Sequence, residues 1–368
     1  MIRTSIRRAV VPGIAVLALA LTGCGAGNED NASDGGGSSS SGLSGEVAGG
    51  GSSAQDSAQQ AWRAAFQGDN PDVTITYDPV GSGAGRESFE SGAFLFAGSD
   101  SYITDDEGEL SKAKEQCGAD PIEVPAYISP IAVVFNLSGV DSVNLDAKTI
   151  SEIFAGKITA WNDPAIAALN DGVDLPDTKI TPVHRSDDSG TTHNFTDYLS
   201  KAGDGAWTDE PSDTWPIKGG ESAEGTSGVI AAVKGGDGTI GYADESQAGG
   251  LGQAALKVGS EFNAPSAEGA AKTLEVSQPA DTASDSMLAY DIDRTTTESG
   301  AYPLILTSYL LACPTYDSAG TADIVKSFLT YIVSSDGQQA AASAAGSAPL
   351  PDSVSQKATD ALSVIAAK

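Results

Sequence analysis

An α/β fold of roughly two domains is predicted for this chain of 368 residues, at about 100–200 residues per domain. Three observations predict it. Apolar positions recur at helical spacing in some segments and alternate as in strands in others, and the two patterns follow one another along the chain. Hydrophobic residues make up 40% of the sequence, enough to bury a sizeable core and to exclude wholesale disorder. No repeat at a solenoid period is visible.

The chain opens on residues that do not read as fold. Arg3, Arg7 and Arg8 form a basic leader before the apolar run Ala9 to Leu21. That run is too short for a permanent anchor, which needs about 20 helical residues. It ends in Leu21-Thr22-Gly23-Cys24, which resembles the bacterial lipobox. The resemblance implies a signal peptide over 1–23 and acylation of Cys24 (palmitate and its like). The alternative is an ordinary secretory signal with an incidental Cys. Residues 24–44 are rich in Gly and Ser and read as a flexible tether. The protein is expected on the extracytoplasmic face of the cell membrane, held by lipid.

There are 50 acidic against 20 basic side chains, a formal net charge of −30. Removing residues 1–23 takes three Arg and no acid, leaving 17 against 50 and a charge of −33. Nucleic-acid binding is excluded, because it draws on clustered Lys and Arg. Three Cys are too few for a disulfide scaffold, and no spacing suggests zinc or another metal. With Cys24 acylated, Cys117 and Cys313 remain in an oxidising compartment. They are either bonded to each other or two separate thiols.

In the body, Ala58, Trp62, Ala65 and Phe66 recur at helical spacing until Gly68 interrupts them. Val73, Ile75 and Tyr77 alternate as in a half-buried strand, and Ile131 to Phe135 suits a buried one. Thr149-Ile150-Ser151-Glu152 matches a capping box before Ile153 and Phe154. Ile324, Val325, Phe328, Leu329 and Ile332 form a later helical stripe, and Val354, Ala358, Ala361, Leu362 and Ile365 the last.

Three Gly/Ser/Thr-rich turns fall where helices would begin: Gly49 to Ser53, Gly81 to Gly85 and Asp188 to Thr192. A helix opening offers N–H donors without intrahelical partners and about half a positive charge, which suits an anion. Singly, each turn also reads as ordinary capping. Gly81-Ser82-Gly83-Ala84-Gly85 is not a dinucleotide fingerprint, because it lacks the GxGxxG spacing and the downstream ribose acid, and no GxxxxGK[ST] loop is present.

In combination and in order, the turns resemble the phosphate-binding protein of bacterial phosphate ABC importers, over nearly the whole mature chain. Gly49 to Ser53 with Trp62 is similar to that family's opening GAGAT…W segment, and Val80-Gly81-Ser82-Gly83 to its IGSSGG turn. Phe96-Ala97-Gly98-Ser99-Asp100 resembles FGASD, and His184-Arg185-Ser186-Asp187-Asp188-Ser189-Gly190-Thr191 resembles RRxDGSGT, the most specific piece. Lys148 to Ile158 with Trp161, Gly238 to Tyr242, and Leu350-Pro351 fit as well. The resemblance implies a two-lobed periplasmic-binding-protein fold (type II-like) with two hinge crossings. One lobe would combine 45–129 with 303–368 and the other would span 130–302. Cys117 and Cys313 then share a lobe, which favours a disulfide between them.

Carried over by position, Ser53, Ser82, Ser189 and Thr191 would give hydroxyl donors. The N–H groups of Ala54, Ser82, Gly190 and Thr191 would face the anion. Arg185 would supply a bidentate cation held by Asp187, and Asp100 would accept a hydrogen bond from the ligand. Ala54 stands where the family has Phe, Gln55-Asp56-Ser57 replaces its Pro-rich continuation, Gly83 stands at a common second Ser, and His184 replaces the loop's first Arg. The implied partners are inorganic phosphate and the permease subunits with their ATPase. No cofactor and a monomeric state are expected.

Asp100 carries the selectivity expected of such a site. Phosphate near neutral pH keeps a proton to donate, whereas sulfate presents a lone pair to a carboxylate. Sites built on a ligand hydroxyl reject analogues lacking it by roughly 10⁴–10⁵. Arsenate is protonated too and fits the same chemistry. A phosphate-ester hydrolase is the rival from another class. His184 and His193 are the only His in the chain, His193 reads as a solvated helix residue, and the GxSxG elbow is missing, so no enzyme is expected.

Overall fold

The computed structural model describes residues 42–282 and 284–368. The signal peptide, Cys24 and most of the expected tether lie outside the described residues. The first elements are β1 (Gly45–Gly51), α1 (Asp56–Asp69), β2 (Val73–Asp78), α2 (Ser82–Glu90), β3 (Phe96–Ser99), α3 (Glu109–Cys117) and the long β4 (Ile122–Asn136). Then come β5 (Ser142–Leu145), α4 (Ala147–Phe154), α5 (Pro164–Ala167), β6 (Thr181–Arg185), α6 (Gly190–Ala202), β7 (Glu221–Ala223), α7 (Gly225–Gly235) and β8 (Thr239–Asp244). They are followed by β9 (Gly252–Val258), β10 (Glu261–Asn263), α8 (Ala267–Val276), β11 (Gln278–Pro279) and β12 (Tyr290–Asp291). The chain ends in β13 (Ile305–Ala312), β14 (Thr315–Tyr316), α9 (Ala319–Val333), α10 (Ser335–Ala345), α11 (Asp352–Leu362) and β15 (Ala366–Ala367).

One mixed sheet runs in the order β2-β1-β3-β13-β4-β8-β6-β7, with β9 joining β4, β5 and β10. β4 belongs to both of its halves. Ile122 to Pro130 pairs antiparallel with β13, and Ile131 to Asn136 pairs antiparallel with β8. Each half also holds three strands that are mutually parallel: β1 with β2 and β3, and β6 with β7 and β8. In open α/β sheets, ligand-bearing loops lie beyond the carboxyl ends of such strands. The Gly/Ser/Thr turns found in the sequence occupy those ends.

Each half has an aromatic centre. In the first, Trp62 is fully buried, meets Tyr127 edge-on at 6.4 Å and donates its indole N–H to Gly337 O at 2.7 Å. Phe66 and Phe96 close on Phe328 of α9 at 5.3 and 5.7 Å, so the helical stripe expected there is core. In the second, Phe195 stacks on Tyr242 at 4.1 Å and Phe135 meets Trp161 at 5.4 Å. Cys117 and Cys313 are joined as a disulfide with their Cα atoms 5.0 Å apart.

Three local expectations need correction. The cap of α4 is Asp146, whose carboxylate accepts Thr149 N–H at 2.8 Å; the helix starts one residue later, and Thr149 lies inside it. A carboxylate reaches N3 as well as a hydroxyl does, so Asp146 takes the cap position ahead of the capping-box pattern. Ala65 is exposed rather than core. Gly68 stays within α1, which runs to Asp69, because the loss of about 1 kcal/mol for Gly in a helix is offset by a buried apolar face. Among the described residues, no helix is long and apolar enough to cross a membrane.

Candidate functional site

The carboxyl ends of β1, β2, β3, β6 and β7 deliver Ser53, Ser82, Asp100, Arg185 to Ser189, and Gly225 with Thr226. All these ends converge. Asp100 Oδ2 accepts the Thr191 hydroxyl at 3.1 Å, and Asp100 N–H donates to Ser82 Oγ at 3.1 Å. Asn194 Nδ2 donates to Asp100 O at 2.7 Å and to Gly190 O at 2.9 Å. Gly83 N–H donates to Asp188 O at 3.2 Å. These bonds tie loops of the first sheet half to the opening of α6 in the second.

Close approach requires Gly190. A Cβ there would fall 2.7 Å from Ser82 Oγ and 2.8 Å from the Cβ of Asp100. Gly81, at φ +98°, would place a Cβ 2.6 Å from Asp187 Oδ2. Backbone meets backbone across the junction, and a side chain at either position would wedge it open.

Arg185 is buried, 3% exposed, and its guanidinium is fixed in plane by Asp187. Nε donates to Asp187 Oδ1 at 2.7 Å, and Nη2 donates to Asp187 Oδ2. Oδ1 also accepts Gly225 N–H at 3.0 Å, from the opening of α7. Burial pushes the Asp187 carboxyl up, but hydrogen bonds and charge from Arg185 outweigh it and hold it below the usual range. The two-residue spacing Arg185–Asp187 makes this fork local to one loop. It offers a single positive charge of set orientation.

Asp100 is buried, 3% exposed. Burial raises its carboxyl above the ordinary value of 3.8, opposed by the hydroxyls of Ser308, Ser52 and Thr191. Ser308 Oγ donates to its Oδ1 at 2.5 Å. Both oxygens therefore have a hydroxyl neighbour, and each retains a lone pair for another donor.

The hydroxyls divide into two kinds. Ser82 Oγ accepts Asp100 N–H and Ser189 Oγ accepts Thr192 N–H at 3.2 Å as the cap of α6; each keeps its own proton for an outside acceptor. The Thr191 hydroxyl, expected to face a ligand, is directed to Asp100. Ser53 Oγ lies 3.0 Å from Thr226 Oγ1 and accepts Thr226 N–H at 3.1 Å. The Ala54 N–H, also expected to face the anion, is bonded to Ser52 Oγ at 3.1 Å instead. A β-turn side chain two residues back competes with any outside acceptor for that donor.

A sequence model of the PBP superfamily domain matches residues 36–336. A protein of Mycobacterium tuberculosis named phosphate-binding protein PstS 2 is 35% identical over 97% of this chain and 98% of its own. A Mycobacterium leprae protein named phosphate-binding protein PstS 3 is 34% identical over 96% of this chain and 97% of its own. The chain belongs to the phosphate-binding protein family. Two solved structures show the fold of that family at lower identity. A phosphate-binding protein of Stenotrophomonas maltophilia superposes with TM-score 0.65 at 20% identity, covering 86% of this chain and 94% of that one. The high-affinity periplasmic phosphate-binding protein PfluDING superposes at 0.67 and 21% identity, covering 84% and 92%. The α/β architecture expected from the sequence is thus the periplasmic-binding-protein fold.

Within this phosphate-binding-protein fold, residues beyond the expected set reach the junction. Ser308 arrives on β13, a strand distant in sequence from every turn. The opening of α7 brings Gly225 and Thr226; Glu224-Gly225-Thr226-Ser227-Gly228 is a fourth Gly/Ser/Thr turn and carried the same signal as the other three. His193 lies on α6 with its side chain 39% exposed, as expected of a solvated helix residue, but it also has a partner. Its Nδ1 lies 3.0 Å from Asp213 Oδ1.

Proposed function

We propose that the chain binds inorganic phosphate outside the cytoplasm and delivers it to an ABC permease and its ATPase, anchored through lipid at Cys24. Relatives matching almost its whole length carry the name phosphate-binding protein, which supports the ligand; the leader and Cys24 support the address. The two sheet halves act as lobes, 45–129 with 303–368 and 130–302, which close on the ligand. β4 and the return into β13 are the hinge crossings, a hinge motion expected of binding proteins.

The observation carrying this reading is the meeting of Asp100 with Arg185 and the openings of α2 and α6 in one buried junction. A dehydrated oxyanion needs donors on every side, since leaving a buried charge unpaired costs several kcal/mol. Ser82 and Ser189 hydroxyls, first-turn N–H groups of Ser82, Gly190 and Thr191, and the Arg185 fork supply them. Oriented dipoles do this without a basic surface, so a chain of charge −30 holds an anion against its own far field. Asp100 takes the one hydrogen bond that runs the other way, from the P–OH group. Binding without chemistry is the reading that relatives named phosphate-binding proteins support. Ser189 Oγ accepts Thr192 N–H as the cap of α6, and the contact of His193 Nδ1 is with Asp213 rather than with Ser189.

Asp100→Asn tests the assignment. An amide keeps the shape and replaces the selective acceptor. Phosphate-over-sulfate discrimination should fall by at least about tenfold, out of the roughly 10⁴ such sites reach, with a smaller loss of phosphate affinity. Calorimetry with both anions reads it; unchanged discrimination refutes the role of Asp100.

A further inference from the structure

Away from the proposed ligand, a second charged cluster joins the two sheet halves. Arg86 on α2 is buried, 5% exposed. Its Nε donates to both Glu109 oxygens at 3.0 and 3.1 Å, and its Nη1 to Ser99 and Ser101 hydroxyls, each at 2.9 Å. These partners all lie in the first half. Its Nη2 reaches across to Asp213 Oδ2 at 2.9 Å, which also accepts Ser101 Oγ at 3.0 Å. Among the described residues this is the one ion pair linking the halves.

Asp213 sits in the segment between α6 and β7 and is tied to the second half. Its Oδ1 lies 3.0 Å from His193 Nδ1, and its carbonyl accepts Ser189 N–H at 3.0 Å, at the opening of α6. Two residues on, Trp215 stacks on His184 at 4.9 Å and packs against Trp207 at 5.3 Å, fixing the segment. Burial pushes the Asp213 carboxyl up, yet His193 and Arg86 outweigh it and hold it far below the usual range. A cavity of about 460 Å³ is lined by Arg86 and Asp213 together with Asp100 and Asn194, so the pair borders the junction.

Both charges have partners on their own side. When the halves separate, Arg86 keeps Glu109, Ser99 and Ser101, and Asp213 keeps His193. A buried pair is costly to break when one charge is left alone. Here neither is, so the contact can form and part repeatedly.

We propose that Arg86 and Asp213 form an ionic latch that prolongs the phosphate-closed state without touching the ligand. The proposal rests on the phosphate-closing reading above. It assigns Asp213 as a positioning residue for release: formed only on closure, the pair acts on the exit of ligand and leaves its capture alone. Losing one partner of a buried interfacial pair acts mainly on dissociation.

The test is stopped-flow and calorimetric binding of inorganic phosphate to the full-length chain as wild type, Asp213→Asn, Arg86→Gln and the double variant. Release should quicken at least about tenfold in each single variant, with association unchanged within about twofold. The double variant should release no faster than the singles, since one contact is lost only once. Phosphate should raise the melting temperature of the variants less than that of wild type; the ligand-free melting point should stay near wild type in Asp213→Asn and fall in Arg86→Gln, which also loses Glu109, Ser99 and Ser101. Wild-type release rates in the variants, or equal losses of stability with and without phosphate, would overturn the latch and leave the phosphate reading intact. A wild type that does not bind phosphate would overturn both.

Discussion

Arg185 carries the only formal positive charge that the loop after β6 brings to the junction, because the position before it holds His184. Two of its nitrogens are committed to Asp187, which fixes the guanidinium plane. Arg185→Ala should therefore lower phosphate affinity by about 30-fold or more, the range of truncating one partner of a buried charge-assisted contact, while circular dichroism and core melting stay near wild type. Wild-type affinity on titration would mark Arg185 as structural only. Residue identities at the junction were legible from short motifs, since a Ser or Gly at a helix opening and an Arg-x-Asp spacing are local patterns. What each hydroxyl does was not. Thr191 and Ser189 are near neighbours in one turn, yet one faces Asp100 and the other caps α6, a distinction set by tertiary packing. Ser308 left no local trace, because it sits mid-strand among buried residues and acquires its role only by pairing of β13 with β3.

Elements with a long, strongly periodic face were legible as well. β2 shows strict alternation of buried and exposed residues, and α9 buries the whole stripe from Ile324 to Ile332. Boundaries were harder, because a helix end depends on a single capping bond. α4 illustrates it: the capping-box pattern at Thr149 to Glu152 competed with Asp146, which makes the bond in fact. Asp146→Ala should cost about 1 kcal/mol of stability through fraying of α4, whose residues Ile150, Ile153 and Phe154 are buried. A denaturant midpoint unchanged from wild type would remove Asp146 from that role. The opening of α7 shows the opposite failing. Its Gly/Ser/Thr turn was as clear as the other three, and only the parallel pairing of β7 with β6 brings it to Arg185 and Asp187.

At the scale of the whole molecule, long-range pairing also buries acids that the sequence gives no cause to single out. Glu123, at the start of β4, accepts Ile103 N–H at 3.0 Å through one oxygen, and its other oxygen is buried without a partner. Burial raises its carboxyl from 4.5 to about 8. Asp244 is raised to about 7 by burial, against hydrogen bonds from Ser246, Ser129 and Tyr127. For both, the folded state holds the proton and the unfolded chain releases it near its ordinary value. Their contribution is thus complete at acidic pH and is lost as pH rises from about 4 through about 8. Asp187 and Asp213 act in the reverse sense, since their lowered carboxyls withdraw support only as pH falls below about 4. The melting temperature should therefore decline between pH 5 and 8, and Glu123→Gln, which is neutral throughout, should flatten that decline. An identical slope in the variant would show Glu123 to be ionised in the folded protein.

Closing of two sheet halves over a protonated oxyanion is the claim on which the site, the latch and the selectivity all depend. Calorimetric titration of the full-length chain with phosphate and, separately, with sulfate measures it most directly. The expected result is saturable one-to-one binding of phosphate, with sulfate giving no binding heat at the same concentration and failing to displace phosphate. Sulfate bound as tightly as phosphate, or phosphate that never saturates, would contradict it.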